Sequence, residues 1–257
     1  MIRLGVCMNM KNARIACEKG YDYLELQFAA TALLAESEYQ SLRQEVLASP
    51  LPVEVMNCMV PGGISLCSPA GSGDEMQQLL TTGFARAHEL GVRLVVFGSG
   101  NARRIPDGMT PEKAYAYILA FLRQAAGLAA PYGIAIAIEP LRTLECNFIN
   151  SIREAQKLAC DVNEPNVGAM ADLYHIAYDG DDMTAMGEGP GILHAHIAHP
   201  ISRSCPKPGD GYEGLYKEFF GILKEIGYEG RVSIEGNVSE FSSEELDAYS
   251  LLDQLRR

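Results

Sequence analysis

Eight short β-rich runs alternate with helical stretches along this chain, and that alternation limits what it can fold into. The runs are "RLGVCM" (3–8), "YLELQ" (23–27), "VEVMNCM" (53–59), "RLVVFGSG" (93–100), "IAIAIEPL" (134–141), "VGAMADL" (167–173), "ILHAHIAH" (192–199) and "RVSIEG" (231–236). Between them lie amphipathic segments such as "DEMQQLLTTGFARAHELG" and "PEKAYAYILAFLRQAAGLAAPYG", whose apolar residues recur at helical spacing. Turn signals close the helices in "ELGV", "YGIA" and "IGYEGRV". Strand, helix, strand, repeated in this way, calls for a parallel sheet with crossover helices. Eight such units in 257 residues suit a closed (β/α)₈ TIM barrel of the α/β class. The rival is an open doubly wound sheet, whose usual G-x-G-x-x-G after the first strand is absent here. No low-complexity linker divides the chain, so one domain over residues 1–257 is expected.

In such a barrel the chemistry sits at the C-terminal ends of the strands. Side chains alternate along a strand with a period of two. In the fifth run Ile134, Ile136 and Ile138 share one face, and Ala135, Ala137 and Glu139 the other. In the sixth, Gly168, Met170 and Asp172 fall together. In the seventh, His194, His196 and Ala198 oppose Leu193, Ala195 and Ile197. In the eighth, Arg231, Ser233 and Glu235 oppose Val232 and Ile234. One face is branched and apolar, suited to packing under helices. The other is small, or polar near the strand end, suited to the barrel mouth. Four consecutive strands therefore deliver Glu139, Asp172, His196 and Glu235 toward one point.

Three carboxylates and an imidazole cannot converge bare, because like charges repel strongly in a low-dielectric pocket. A divalent cation resolves the conflict. Oxygen ligands with one nitrogen favour Mn²⁺ foremost, with Mg²⁺ or Co²⁺, and leave Zn²⁺ open. Taken singly, a glutamate at a strand end is more often a solvated loop residue, and a buried histidine more often a hydrogen-bonded core residue. Four polar residues in phase at four successive strand ends outweigh that reading. The other histidines keep it. His194 points the same way as His196 but two residues deeper, where a core or supporting role is expected. His199 is expected in a loop, and His88 on a helix surface.

Bulk numbers narrow the partner. The net charge is −12, which argues against nucleic acid because phosphates repel an acidic surface. No run approaches the roughly 20 apolar residues of a membrane span. The opening residues carry too short an apolar run for a secretory signal. Seven cysteines, odd in number and without a C-x-x-C pair, fit free thiols in a reducing, cytoplasmic compartment. A small-molecule partner is expected, and self-association into a homo-oligomer is left open.

The same residues carry a resemblance. "FGSGNARRIPDG", "AIEPLRTLECNFINS", "ADLYHIAYD", "HAHIAHPISR" and "VSIEG", in that order, together with "GYDYLEL" and "NCMVPGG", resemble the sugar isomerase/epimerase group with a xylose isomerase-like barrel. That group includes the ketose 3-epimerases and hydroxypyruvate isomerase. The resemblance covers nearly the whole chain. It implies one divalent metal held by Glu139, Asp172, His196 and Glu235, with Glu139 and Glu235 as the catalytic pair. It also implies substrate contacts from Glu145, six residues after Glu139, from His175, three after Asp172, and from Arg203. Three features depart from the family pattern. Arg203 lies one residue later than the epimerase spacing, His199 stands where many members carry Glu, and "SCPKPGDG" is longer than the usual P-G-x-G turn. They bear on the substrate's distal contacts rather than on the metal.

The implied reaction moves a proton beside a carbonyl through an enediolate, as ketose 3-epimerisation or, if the proton returns to the neighbouring carbon, as aldose–ketose isomerisation of the hydroxypyruvate type. A lyase, either a dehydratase or a C-glycoside-cleaving subunit, can use the same intermediate. A metal phosphoesterase of the apurinic endonuclease type needs two or three zinc ions and more histidines than the five here. A non-catalytic sugar-binding barrel has no need of four metal ligands. In "GSGNARRIPDG", Arg103 or Arg104 can reach a substrate anion, against the alternative of surface arginines pairing with the acidic exterior. Cys58 is expected to pack in the barrel rather than act as a nucleophile.

Overall fold

The computed structural model describes residues 1–236 and 245–257. Its strands are β1 (Arg3–Cys7), β2 (Tyr23–Gln27), β3 (Val53–Asn57), β4 (Leu94–Phe97), β5 (Ala135–Ile138), β6 (Val167–Asp172), β7 (Ile192–Ile197) and β8 (Arg231–Ile234). Each pairs in parallel with the next, and β8 returns to β1 through Arg3–Arg231 to Val6–Ile234, so the sheet closes into a barrel. The helices are α1 (Ala13–Lys19), α2 (Phe28–Leu33), α3 (Glu36–Ala48), α4 (Asp74–Glu89), α5 (Gly100–Arg103), α6 (Pro111–Ala129), α7 (Ile152–Val162), α8 (Leu173–Asp179), α9 (Glu213–Glu225) and α10 (Ala248–Arg256). The eight-unit barrel expected from the alternation is the one observed. The strands are shorter than the apolar runs because the last residues of several runs turn away into the mouth.

Two hydrophobic cores follow from the alternation of side chains. Ile134, Ile136 and Ile138 join the outer core between strands and helices. Tyr23, Val55, Leu94, Val96, Ala137 and Met170 form a separate cluster inside the barrel. Gly5 makes room for Tyr23, since a Cβ there would lie 2.3 Å from the tyrosine ring.

Strict alternation fails at two places. The β2–β3 register jumps from Leu24–Val53 to Glu25–Val55, which leaves Glu54 as the extra residue of a β-bulge. Its carboxylate pairs with Arg3 and Arg231, both at 2.6 Å. The β6–β7 register jumps from Ala169–Ile192 to Met170–His194. Leu193 is the extra residue there. It lies against Gly168 and stays 37% exposed, instead of packing under a helix as alternation predicted. Both bulges sit toward the strand starts, so the strand ends at the mouth keep their phase.

Candidate active site

Glu139 is the first residue after β5. Its N–H donates to Phe97 O at 3.2 Å, and its carbonyl accepts from Arg103 Nη2 at 2.5 Å. Gly98 leaves space for its side chain, because a Cβ at Gly98 would stand 2.1 Å from Glu139 Oε2. Asp172 ends β6 and divides its carboxylate. Oδ1 accepts from Tyr174 N–H at 2.8 Å and caps α8, while Oδ2 stays free to face the mouth. His196 points inward from β7, and Glu235 follows β8 with its N–H on Ile197 O at 3.1 Å.

Ligand atoms of Glu139, Asp172, His196 and Glu235 all lie within 4.8 Å of one another. His196 Nδ1 is 3.5 Å from Glu139 Oε1 and 3.6 Å from Glu235 Oε2. Glu139 Oε1, Asp172 Oδ2 and His196 Nδ1 are buried without a hydrogen-bond partner. Unsatisfied buried polar atoms are costly, and here three converge with the carboxylate of Glu235. That donor set fits a divalent cation with a preference for oxygen.

The charges strain against one another. Burial, with the Glu235 charge beside it, raises the Glu139 carboxyl above its ordinary range. Burial and the same Glu235 charge push Asp172 up to about 6. Burial also acts on Glu235, but His196 and Arg203 outweigh it and hold that carboxyl at about 2.

His175, in the first turn of α8, is 3% exposed. Its Nε2 lies 3.4 Å from Asp172 Oδ2 and 3.8 Å from Glu139 Oε1, and neither ring nitrogen has a hydrogen-bond partner. Burial lowers its pKa, which favours the neutral ring. Arg203, in a left-handed conformation at φ 52°, donates to Glu235 Oε2 at 2.5 Å and lies 3.5 Å from Glu145 Oε1. All seven residues singled out in the sequence thus meet at one mouth.

Some roles were missed or misassigned. Glu25, from the middle of β2, accepts from both His194 and His196 and was not foreseen. Asn57, at the end of β3, reaches Glu235 Oε1 at 3.4 Å. His194 is fully buried beneath His196, His199 lies in the loop after β7 and His88 on the exposed side of α4. Arg103 is no anion ligand. It is fully buried, holding Phe97 O and Glu139 O and stacked over the Phe97 ring, so no substrate anion can reach it. Arg104 is exposed and donates to Glu145 O at 2.6 Å. Cys58 is not packed in the barrel. A left-handed turn, φ 51°, turns it out to the wall of a cleft of about 710 Å³ beside Glu235. Met8, Met10, Leu26 and Leu34 give that cleft an apolar side.

A family profile described as xylose isomerase-like TIM barrel matches residues 13–257. The chain belongs to that family. Among its relatives, an L-ribulose 3-epimerase of Methylomonas sp. (strain DH-1) is 30% identical over 137 residues, covering 50% of this chain and 43% of the relative. A putative hydroxypyruvate isomerase of Xenopus laevis is 26% identical over 183 residues, covering 68% of this chain and 65% of the relative. The chain therefore spans less than two thirds of either relative's length. The structure of a D-psicose 3-epimerase from Clostridium cellulolyticum H10, solved with D-tagatose, superposes with a TM-score of 0.80 at 19% identity, over 99% of this chain and 98% of that one. At that identity the match speaks for the fold.

Proposed function

We propose that the protein is a divalent-metal-dependent sugar isomerase or epimerase, acting on a ketose by moving a proton beside its carbonyl, with 3-epimerisation as the reaction. The observation that carries this reading is the placement of Glu139 and Glu235. They leave non-adjacent strands, β5 and β8, and face each other across His196 Nδ1 at 3.5 and 3.6 Å. A sugar held between them meets a carboxylate on each side.

Glu139, Asp172, His196 and Glu235 would hold the cation, Mn²⁺ by preference, with Mg²⁺, Co²⁺ or Zn²⁺ as substitutes. When bound, such a cation supplies positive charge where the carbonyl and a neighbouring hydroxyl gain electron density. One glutamate takes the proton from carbon as the C–H electron pair moves into an enediolate. The other returns a proton to the opposite face. His175 donates from its imidazole to an oxygen next to the reacting carbons. Arg203 and Glu145, already in contact, release each other to bind hydroxyls of the substrate. Among the described residues no helix is long and apolar enough to cross a membrane.

A second reading has its own support. The Xenopus laevis relative named putative hydroxypyruvate isomerase covers the larger share of this chain. The same residues give aldose–ketose isomerisation when the proton returns to the neighbouring carbon. A phosphoesterase with several zinc ions is disfavoured. Among the described residues, the one other metal-competent group, Cys7, Glu25 and His196, shares its histidine with the first.

The test is carbon-bound deuterium incorporation from D₂O across ketoses, their phosphates and hydroxypyruvate, read by NMR after the metal is removed. Exchange should occur with Mn²⁺ or Co²⁺, stop on chelation, and fall by about 10³-fold or more in Glu235→Gln, whose amide is no base. No exchange on any member, with β-elimination from a C-glycoside instead, replaces the proposal with the lyase reading.

A further inference from the structure

Behind the cluster lies a second layer that the proposed chemistry does not use. Glu25 is 1% exposed in the barrel interior, and the three side chains hydrogen-bonded to its carboxylate can all donate. His196 Nε2 lies 2.9 Å from Oε1, and His194 Nε2 lies 3.0 Å from Oε2. Ser233 Oγ donates to Oε2 at 2.6 Å, and Tyr23 OH sits 2.7 Å from Ser233 Oγ, which passes its own proton to Glu25. These residues come from β2, β7 and β8, so the network bridges the seam where the barrel closes.

A carboxylate only accepts hydrogen bonds. The nitrogen of His196 that faces Glu25 must therefore carry hydrogen. In the neutral ring the lone pair is then on Nδ1, the atom that faces Glu139 and Glu235 without a partner. We propose that Glu25 is a positioning residue for the metal centre, holding His196 as the Nε2–H tautomer so that Nδ1 presents a lone pair to the cation. The inference rests on the metal-dependent reading above. Glu25 is not one of the four residues that would hold the cation. It fixes ring orientation and proton position, as second partners of metal-bound histidines do elsewhere. His194 and Ser233 both bind Oε2 and so resist rotation of the Glu25 carboxylate.

An amide breaks this arrangement. Gln at position 25 offers one acceptor oxygen and one NH₂ to two imidazole N–H groups. One histidine must then turn its ring or move its proton to Nδ1.

The test is calorimetric titration of Mn²⁺ into the metal-free full chain, with no substrate present, for wild type and Glu25→Gln. The variant should bind Mn²⁺ about 10- to 100-fold more weakly. At saturating Mn²⁺ its kcat should recover to within a few-fold of wild type, since the reacting groups are intact. Affinity within twofold of wild type overturns the proposal. A variant that only unpacked the barrel would lose thermal stability without this split between metal affinity and kcat. Should Glu25→Gln fail to fold, wild type itself decides. In the Zn²⁺-loaded protein, imidazole ¹⁵N spectra should show a proton on Nε2 of His196 and metal-shifted Nδ1. A proton on Nδ1, or a second equivalent of metal that is lost in Cys7→Ser, overturns the proposal. Tight Mn²⁺ binding weakened in Glu25→Gln, with no deuterium exchange on any substrate, sinks the isomerase reading alone. A wild type that binds no divalent metal sinks both.

Discussion

Arg203 closes over Glu235, its Nη2 2.5 Å from Oε2, while its other terminal nitrogen lies 3.5 Å from Glu145. The guanidinium therefore ties the two carboxylates together and helps keep Glu235 ionised. Burial works against the charged carboxylate, and His196 and Arg203 overcome it. Removing Arg203 takes away part of that compensation, so the pKa of Glu235 must rise. A reaction that needs the carboxylate then loses rate at a higher pH. Arg203→Ala should lower kcat/KM about 10²-fold and move the acid limb of the pH–rate profile upward. A profile that keeps its acid limb in place would show that Arg203 acts on substrate alone.

His175 stands over the cluster without partners on either ring nitrogen. His175→Ala should keep one metal per chain yet lose about 10²–10³ in kcat/KM, the effect of removing one donor from a desolvated site. Metal content and kinetics on one purified variant decide it. Lost metal would make His175 a ligand, and unchanged kinetics would remove it from the mechanism.

The metal-free protein should become more stable as it is mildly acidified. Asp172 has its pKa raised from 3.8 to about 6, which corresponds to about 3 kcal/mol favouring the protonated fold. A raised folded-state pKa means stability that is present at low pH and lost as pH rises through about 6. Thermal unfolding with chelator present should thus show this contribution building as pH falls below about 6, complete only near the unfolded value of 3.8. Asp172→Asn should raise the metal-free Tm at pH 7 and abolish the further rise given by Mn²⁺. A Tm lowered by this substitution would refute the stored repulsion.

Gly98→Ala tests the space beside Glu139. The added Cβ would lie 2.1 Å from Glu139 Oε2, so the carboxylate must move while the strand it follows stays in place. Circular dichroism should be unchanged and Mn²⁺ affinity lower by about tenfold or more, as for a displaced ligand. Unchanged affinity would show that Glu139 has a second rotamer that serves equally well.

The barrel and its mouth were legible because they follow local rules. Glu139, Asp172, His196 and Glu235 follow from counting twos along four strands, and each lies within one residue of a strand end. The supporting layer obeys no local rule. Glu25 looks like an ordinary polar residue within "YLELQ", and its histidine partners are 169 and 171 residues away. Arg103 was read as a loop cation because guanidinium groups seldom lose all contact with water. Its burial depends on the Phe97 and Glu139 carbonyls, which come together only when β4 and β5 pair. The bulges at Glu54 and Leu193 were hidden because an extra residue in one strand is defined only by its neighbour.

The mouth is shared unequally around its rim. Glu139, Asp172, His196 and Glu235 stand on the arc from β5 to β8, while the apolar wall of Met8, Met10, Leu26 and Leu34 follows β1 and β2. The first arc carries the four candidate ligands, and the second gives the cleft its apolar side. Replacements along the second arc leave the four ligands untouched. Change confined to Met8, Met10, Leu26 and Leu34 can therefore reshape the cleft without moving a candidate ligand, whereas change at Glu25 or Gly98, in the same first hundred residues, reaches the ligand cluster directly.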